Sequence, residues 1–340
     1  MVNFPAWDPE RLKAGGRDAV LYFEEMRRQD EQYRGSMAWL RRSPMLNRAT
    51  CGRYAPGSTF KILTSIALLE EGVANSRSSY NESDSYYQGR GFRFRTSHPA
   101  GLVDLIRAIE VSSNSFFWHY SEQMPGGTSS KRYEQCLLPW ALEFGFGTRP
   151  GLDLTSQTAG NLPEAQDVSA GELANLSIGQ GRLMASPLQV ARFMCAVATR
   201  GRLPTPHLSK EGSFEARDVG VSRETWNLVQ EGMRRVVHGG SGTARRSSVC
   251  QSIKAAAKTG TAQNGKFRAP NGELLPVPDH AWFAGYAPHD KPRIAFAVLA
   301  EYSGLSGGDL ADLTGEVVKY ALEQQESNAS AETVYSSVRK

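Results

Sequence analysis

The 340-residue chain has no run of about 18 apolar residues, the length a helix needs to cross a bilayer, so no membrane-spanning helix is expected. Its first residues, Met1-Val2-Asn3-Phe4-Pro5-Ala6-Trp7-Asp8, hold neither the basic nor the apolar stretch of an export signal. Cysteine is scarce: Cys51, Cys136, Cys195 and Cys250 show no C-x-x-C or metal-ligand spacing. They read as free or incidentally paired thiols and decide neither redox compartment nor disulfides. Charge of one sign is also lacking. The 39 Lys and Arg against 35 Asp and Glu leave a net +4 and no concentrated basic stripe, which argues against a nucleic-acid partner. His98, His119, His207, His238, His280 and His289 are scattered without a ligand-like pair, and are read as structural or surface residues. No internal repeat is present. What remains is ordinary globular composition, 40% hydrophobic and 22% charged, long enough for one large or two small domains.

Residues 1–10 read as extended, and 11–45 are rich in Arg, Glu and Asp, a solvated insertion with helical stretches such as Val20–Met26. Ile62 to Gly72 is an almost unbroken apolar helix pattern behind the turn Pro56-Gly57, so this helix should be buried on most sides. Residues 74–101 read as a long polar and aromatic loop with a short hairpin. Leu102, Leu105, Ile106 and Ile109 have helical spacing, and Val111–Ser115 breaks that helix before another opens at Phe116. Further helices are expected over 132–144, from Pro187 and over 222–237, with 145–173 a Gly/Pro-rich loop. The late runs Ala255–Ala262, Ala281–Tyr286 and Ile294–Leu299 read as three strands joined by hairpin-like connections. Leu310, Leu313, Val317 and Tyr320 outline a last helix, followed by a polar, disordered tail over 325–340. Helices in the middle and strands late imply a mixed α/β (α+β) domain with an antiparallel sheet packed against a helical region.

Three short motifs carry chemistry: Ser58-Thr59-Phe60-Lys61, Ser112-Ser113-Asn114 and Lys258-Thr259-Gly260. Ser58 and Lys61, three apart on a helix, share one face. A serine hydroxyl is a weak nucleophile until a base removes its proton, and a lysine becomes that base only when burial and a second cation disfavour its ammonium. The apolar helix supplies burial for Lys61, and Lys258 is the candidate second cation. Ser58 near a helix N-terminus aims its backbone N–H at a developing oxyanion. Ser112 can relay a proton between Lys61 and a leaving amine, and Asn114 can bind a substrate backbone group. Lys258, Thr259 and Thr261 offer a cation and two hydroxyls to a carboxylate, with 259 and 261 on one strand face. Gly260 leaves room for a substrate chain beside the strand. Taken singly, Ser58 reads as a helix cap, Ser112 and Asn114 as a cap and turn pair, and Lys258 as an edge-strand charge. Their joint order and setting favour the catalytic interpretation.

These motifs are the signature of penicillin-binding proteins and serine β-lactamases. The sequence resembles the transpeptidase domain of class B penicillin-binding proteins, most closely the elongation type. The resemblance is carried by Asn47-Arg48-Ala49, Tyr54-x-Pro56-Gly57-Ser58, Val111–Phe117 and Leu176-Ser177-Ile178-Gly179-Gln180-Gly181. Ser186-Pro187-Leu188-Gln189, Lys258-Thr259-Gly260-Thr261-Ala262 and Trp282–Pro288 complete it. It covers residues 1–10 and 37–322. It implies the serine β-lactamase/penicillin-binding-protein transpeptidase fold over 47–324, preceded by an extended lead-in with a charged insertion over 1–46. It also implies attack by Ser58 on the D-Ala-D-Ala end of a peptidoglycan stem peptide, with Lys61 as base and Ser112 carrying protons. The Ser58 and Thr261 backbone N–H groups would form the oxyanion hole. A second stem peptide's amine then cross-links, and β-lactams trap Ser58. No cofactor and no metal are implied. The implied address is the periplasmic face of the inner membrane, and the implied partners are stem peptides, β-lactams and, through upstream regions, a membrane glycosyltransferase of the elongation machinery. Family members carry a membrane helix and a pedestal domain ahead of this region. The chain reads as a truncated product, a fragment or a stand-alone domain.

Two other readings compete. One is a class D-like β-lactamase or D,D-carboxypeptidase, against which Asn114 makes the pocket polar. The other is a non-catalytic β-lactam-binding or decayed domain, which retention of all three motifs opposes.

Overall fold

The computed structural model describes residues 46–338, apart from 83–85, 90–91, 96–98, 210–214 and 269–271, together with Leu21, Glu24, Glu25 and Arg28. Those four are helical and exposed. The rest of the lead-in up to 45 lies outside the described residues.

The late apolar runs form one antiparallel sheet: β1 (Ala256–Ala262), β2 (His280–Ala287) and β3 (Ile294–Ala300), in spatial order β3-β2-β1. β2 is central and buried at every position, which explains its continuous rather than alternating apolar pattern. β1 is an edge strand, with Thr259 opposite Phe283 and Thr261 opposite Ala281. A short hairpin, Lys266–Arg268 with Leu274–Pro276, is inserted between β1 and β2.

The helical region begins at α1 (Lys61–Glu70), whose first eight residues are all buried: Ile62, Leu63, Ile66, Ala67 and Leu68 are apolar, and the Thr64 and Ser65 hydroxyls donate to the Ser177 and Lys61 carbonyls. α2 (Leu105–Glu110) and α3 (Asn114–Ser121) follow, capped by Asp104 and Ser113. Leu102 does not join α2. Asp104 accepts from Arg107 N–H at 2.7 Å and sets the helix start, leaving Leu102 exposed on a strand. That strand, Gly101–Asp104, pairs with Ser79–Glu82, a pair absent from the sequence reading, and the short hairpin expected in this segment is Tyr86–Gly89 with Phe92–Arg95. The helix expected over 132–144 is Ser129–Glu143 with a widened π turn at Tyr133–Leu137. α4 (Ala170–Ser177), α5 (Pro187–Ala198) and α6 (Arg223–His238) complete the region. α5 starts with Pro187 at its first position and a Ser186/Gln189 capping box. α5 packs on β2 and β3, and α6 packs on β1 and α2.

α7 (Ala311–Val338) departs from expectation in two ways. It continues helically as far as Val338 in the polar segment expected to be disordered, where Ala, Glu and Gln favour helix. Its inward stripe is Leu310, Thr314, Val318 and Leu322, whereas Leu313, Val317 and Tyr320 are 63%, 56% and 64% exposed. The sequence carries two apolar stripes, and close approach selects between them. Cys250 Sγ donates to Ala311 O at 3.1 Å, and a Cβ on Gly315 would lie 2.9 Å from Val249 Cγ1. The face with small residues is the one that fits. All four cysteines are free thiols. Among the described residues no helix is long and apolar enough to cross a membrane.

Candidate active site

The turn ahead of Ser58 is held from both sides. Ala55 O accepts from Trp282 Nε1 at 3.0 Å, and Gly57 N–H donates to Gly179 O at 2.8 Å. Gly57 has φ +53°, and a Cβ there would lie 2.6 Å from Thr261 O, so only glycine lets the chain turn this close to β1. Ser58 follows, half-buried, in the 3-10 turn Gly57–Phe60 that leads into α1. Positions three apart eclipse in this geometry, which puts Ser58 and Lys61 on one face. Ser58 is not a cap: Pro56 holds that position and no side chain caps the turn.

Lys61 is fully buried. Its Nζ donates to Ser112 O at 2.8 Å, to Ser112 Oγ at 3.3 Å and to Asn114 Oδ1 at 2.5 Å. The turn between α2 and α3 makes this convergence, with Ser112 at φ +59°. A non-glycine residue there costs on the order of 1–3 kcal/mol, a strain of the kind held at functional sites. Burial drives the Lys61 ammonium well below the usual lysine range, the positive charge of Lys258 pushes it further down, and Glu82 opposes both.

Lys258 on β1 is also fully buried, and burial lowers it to about 7. Its Nζ donates to Thr259 O at 3.0 Å. Thr259 is buried and its Oγ1 lies 2.7 Å from Thr243 Oγ1, whereas Thr261 is exposed. The space at Gly260 is not an open groove: a Cβ there would meet Trp282 Cβ at 3.0 Å, Thr59 Cγ2 at 3.1 Å and Pro56 O at 3.3 Å. Gly260 serves the packing of β1 against the Ser58 turn. Thus Lys61, Ser112 and Asn114 form one cluster on the helix face that carries Ser58, and Lys258 through Thr261 form the strand edge beside it.

Three neighbours escaped the motif reading. Thr243, which partners Thr259, follows the glycine-rich turn Gly239-Gly240-Ser241-Gly242, a composition signal that could have found it. Gln180, whose Nε2 donates to Thr261 O at 2.9 Å, stood only in a block of the family resemblance. Glu82, buried behind the Ser112–Asn114 turn, lay in a segment read as loop and had no sequence signal. Of the four acids in the 145–173 region, Glu164 is exposed and the other three are engaged elsewhere. Asp167 and Glu172 pair with Arg182, and Asp153 accepts from Leu208 and Ser209 N–H.

A serine beside a buried, proton-poor lysine, flanked by a second buried lysine on an edge strand, defines a serine acyl-transfer site. The chain belongs to the penicillin-binding protein transpeptidase domain family, whose sequence model matches residues 12–321. It is 30% identical over 312 residues to peptidoglycan D,D-transpeptidase MrdA of Haemophilus influenzae, covering 83% of this chain and 46% of that protein. The structure resembles Pseudomonas aeruginosa PBP2 in complex with WCK 5153, at TM-score 0.76 and 29% identity, over 95% of this chain and 70% of that one. It also resembles Helicobacter pylori PBP2 solved in complex with MreC, at TM-score 0.73 and 26% identity, over 89% of this chain and 54% of that one. The chain spans about half the length of the MrdA relative, at 46%.

Proposed function

We propose that this chain is the catalytic part of a peptidoglycan D,D-transpeptidase. The observation that carries the reading is Lys61: a fully buried amine, held by Ser112 and Asn114 on the helix face it shares with Ser58. A neutral amine donates only two hydrogen bonds. Ser112 O and Asn114 Oδ1 can only accept, so they take both, and the lone pair is left for a hydroxyl. Ser58 Oγ–H gives its proton to that lone pair as Oγ bonds to the penultimate D-Ala carbonyl carbon of the donor stem peptide. Backbone N–H groups of Ser58 and Thr261 receive the oxyanion. The proton passes through Ser112 to the leaving D-alanine amine as the peptide C–N bond breaks. The amine of a second stem peptide then attacks the ester, its proton returns through the same groups, and Ser58 is released. Asn114 Nδ2 orients the donor backbone. Lys258 and Thr261, with Thr259 fixed by Thr243, meet the terminal carboxylate.

Rapid hydrolysis of the ester needs a further base; Asp153, Asp167 and Glu172 are bound elsewhere, and Glu164 is exposed to solvent rather than buried beside Lys61. The acyl-enzyme therefore waits for an amine. The substrate lies outside the cytoplasm, so the reading places the chain at the periplasmic face of the inner membrane, in a cell-wall synthesis assembly with a glycosyltransferase. The test supplies a D-Ala-D-Ala donor peptide and an acceptor amine and follows cross-linked product and free D-alanine by mass spectrometry. Product that disappears in Ser58→Ala supports the reading. Release of D-alanine without cross-links points to a carboxypeptidase, and no release at all points to a binding domain.

A further inference from the structure

Glu82 is only 2% exposed and ends the strand Ser79–Glu82. One carboxylate oxygen accepts from Ser113 Oγ, and the other accepts from Ala100 N–H at 3.0 Å. Among the described residues no arginine or lysine forms an ion pair with it. A buried carboxylate without a cation at contact is costly, and mere strand pairing does not need one. Ser113 is the middle residue of the turn that delivers Ser112 and Asn114 to Lys61, and its Oγ also accepts from Phe116 N–H at 3.0 Å to cap α3. The other buried carboxylate nearby, Glu110, is turned away and accepts from Ser241 N–H at 3.0 Å.

We infer that Glu82 is a positioning residue for acyl transfer: it braces the Ser112–Asn114 turn from behind, through Ser113, so that Ser112 and Asn114 stay on Lys61 Nζ. The inference rests on the transpeptidase reading and deepens it. Its charge has a second consequence. Among the described residues, the charged groups bearing on Lys61 are Lys258 from β1 and Glu82, while the turn and α3 present Ser112, Asn114 and the Phe117 ring, which do not titrate there. Lys258 favours the neutral amine and Glu82 favours the ammonium. Glu82 thus sets how far proton loss from Lys61 goes, as well as where Lys61 sits.

The experiment measures the rate of Ser58 acylation by a fluorescent penicillin against pH, with a thermal melt for each variant. Lys61 must be neutral to act, so its proton affinity sets the acid limb. Glu82→Gln keeps the shape and removes the charge, and its acid limb should move to lower pH by at least about half a unit. Glu82→Asp keeps the charge but shortens the reach to Ser113. Its limb should stay near the wild-type position while the plateau rate falls about tenfold or more, the size of a lost charge-assisted hydrogen bond. An unmoved limb in Glu82→Gln, whether the rate is normal or uniformly reduced, makes Glu82 an ordinary structural residue and overturns the inference. Should Glu82→Gln fail to fold, Glu82→Asp decides, and a plateau within twofold of wild type overturns it. A wild-type chain that takes no label at any pH removes the transpeptidase reading itself, which separates the two failures.

Discussion

Replacing Lys258 with Met should make the protein more stable and less active. The Lys258 stem is fully buried in β1, and a methionine fills nearly the same space. Burial lowers the folded-state value from 10.5 to about 7. The unfolded chain therefore binds this proton more tightly, and between pH 7 and 10.5 stability rises with pH as the unfolded state progressively loses that advantage. Each unit is worth about 1.4 kcal/mol, so at pH 7 the titration of Lys258 costs the folded state roughly 4 kcal/mol. Methionine removes that cost but gives up the 3.0 Å bond to Thr259 O, worth about 1 kcal/mol. A net gain of roughly 3 kcal/mol at pH 7 is expected, shrinking towards zero or slightly below near pH 10. Urea unfolding of both proteins at pH 7, 8.5 and 10 measures it. The same variant removes a positive charge from beside Lys61, so its acylation limb should move to higher pH, opposite to Glu82→Gln. A Met variant that is less stable at pH 7, or whose stability difference is independent of pH, would refute the argument that desolvation governs this lysine.

Lys61→Ala should slow acylation by about two to four orders of magnitude, as loss of a general base does, while the fold persists; labelling near the wild-type rate would remove Lys61 as the base. Penicillin should leave a single adduct on intact protein for minutes to hours, absent in Ser58→Ala, and nitrocefin should give a stoichiometric burst with little turnover. Sustained turnover would turn the assignment towards a β-lactamase. Changing Thr259 and Thr261 together to Val should weaken β-lactam acylation far more than it lowers the melting temperature. Thr243→Val should reproduce part of that loss, because it takes away the 2.7 Å partner of Thr259 Oγ1. Parallel losses of acylation and stability would mark these threonines as structural.

The parts of this protein legible in its sequence are those governed by neighbours within a turn or a strand. Ser58 and Lys61 share a face because they are three residues apart, and the run from Ile62 to Leu68 is buried because it is mostly apolar, with only Thr64 and Ser65 polar. The helix break at Ser112, the Pro187 helix start and the three late strands are likewise local in cause. What the chain order leaves open is decided by packing. Lys61 meets Ser112 and Asn114 across separations of 51 and 53 residues, and only the folded turn at Ser112 aims both at one nitrogen. The inward stripe of α7 depended on which face could approach Val249 and Cys250. Gly260, expected to make room for substrate, instead makes room for Thr59 and Trp282. Thr243 and Glu82 became visible only as partners of residues far away in the chain. The reactivity of Lys61 belongs to this second group. Its side chain is that of any lysine, and the burial and the like charge of Lys258 that strip its proton exist only once α1, β1 and the Ser112 turn have closed around it.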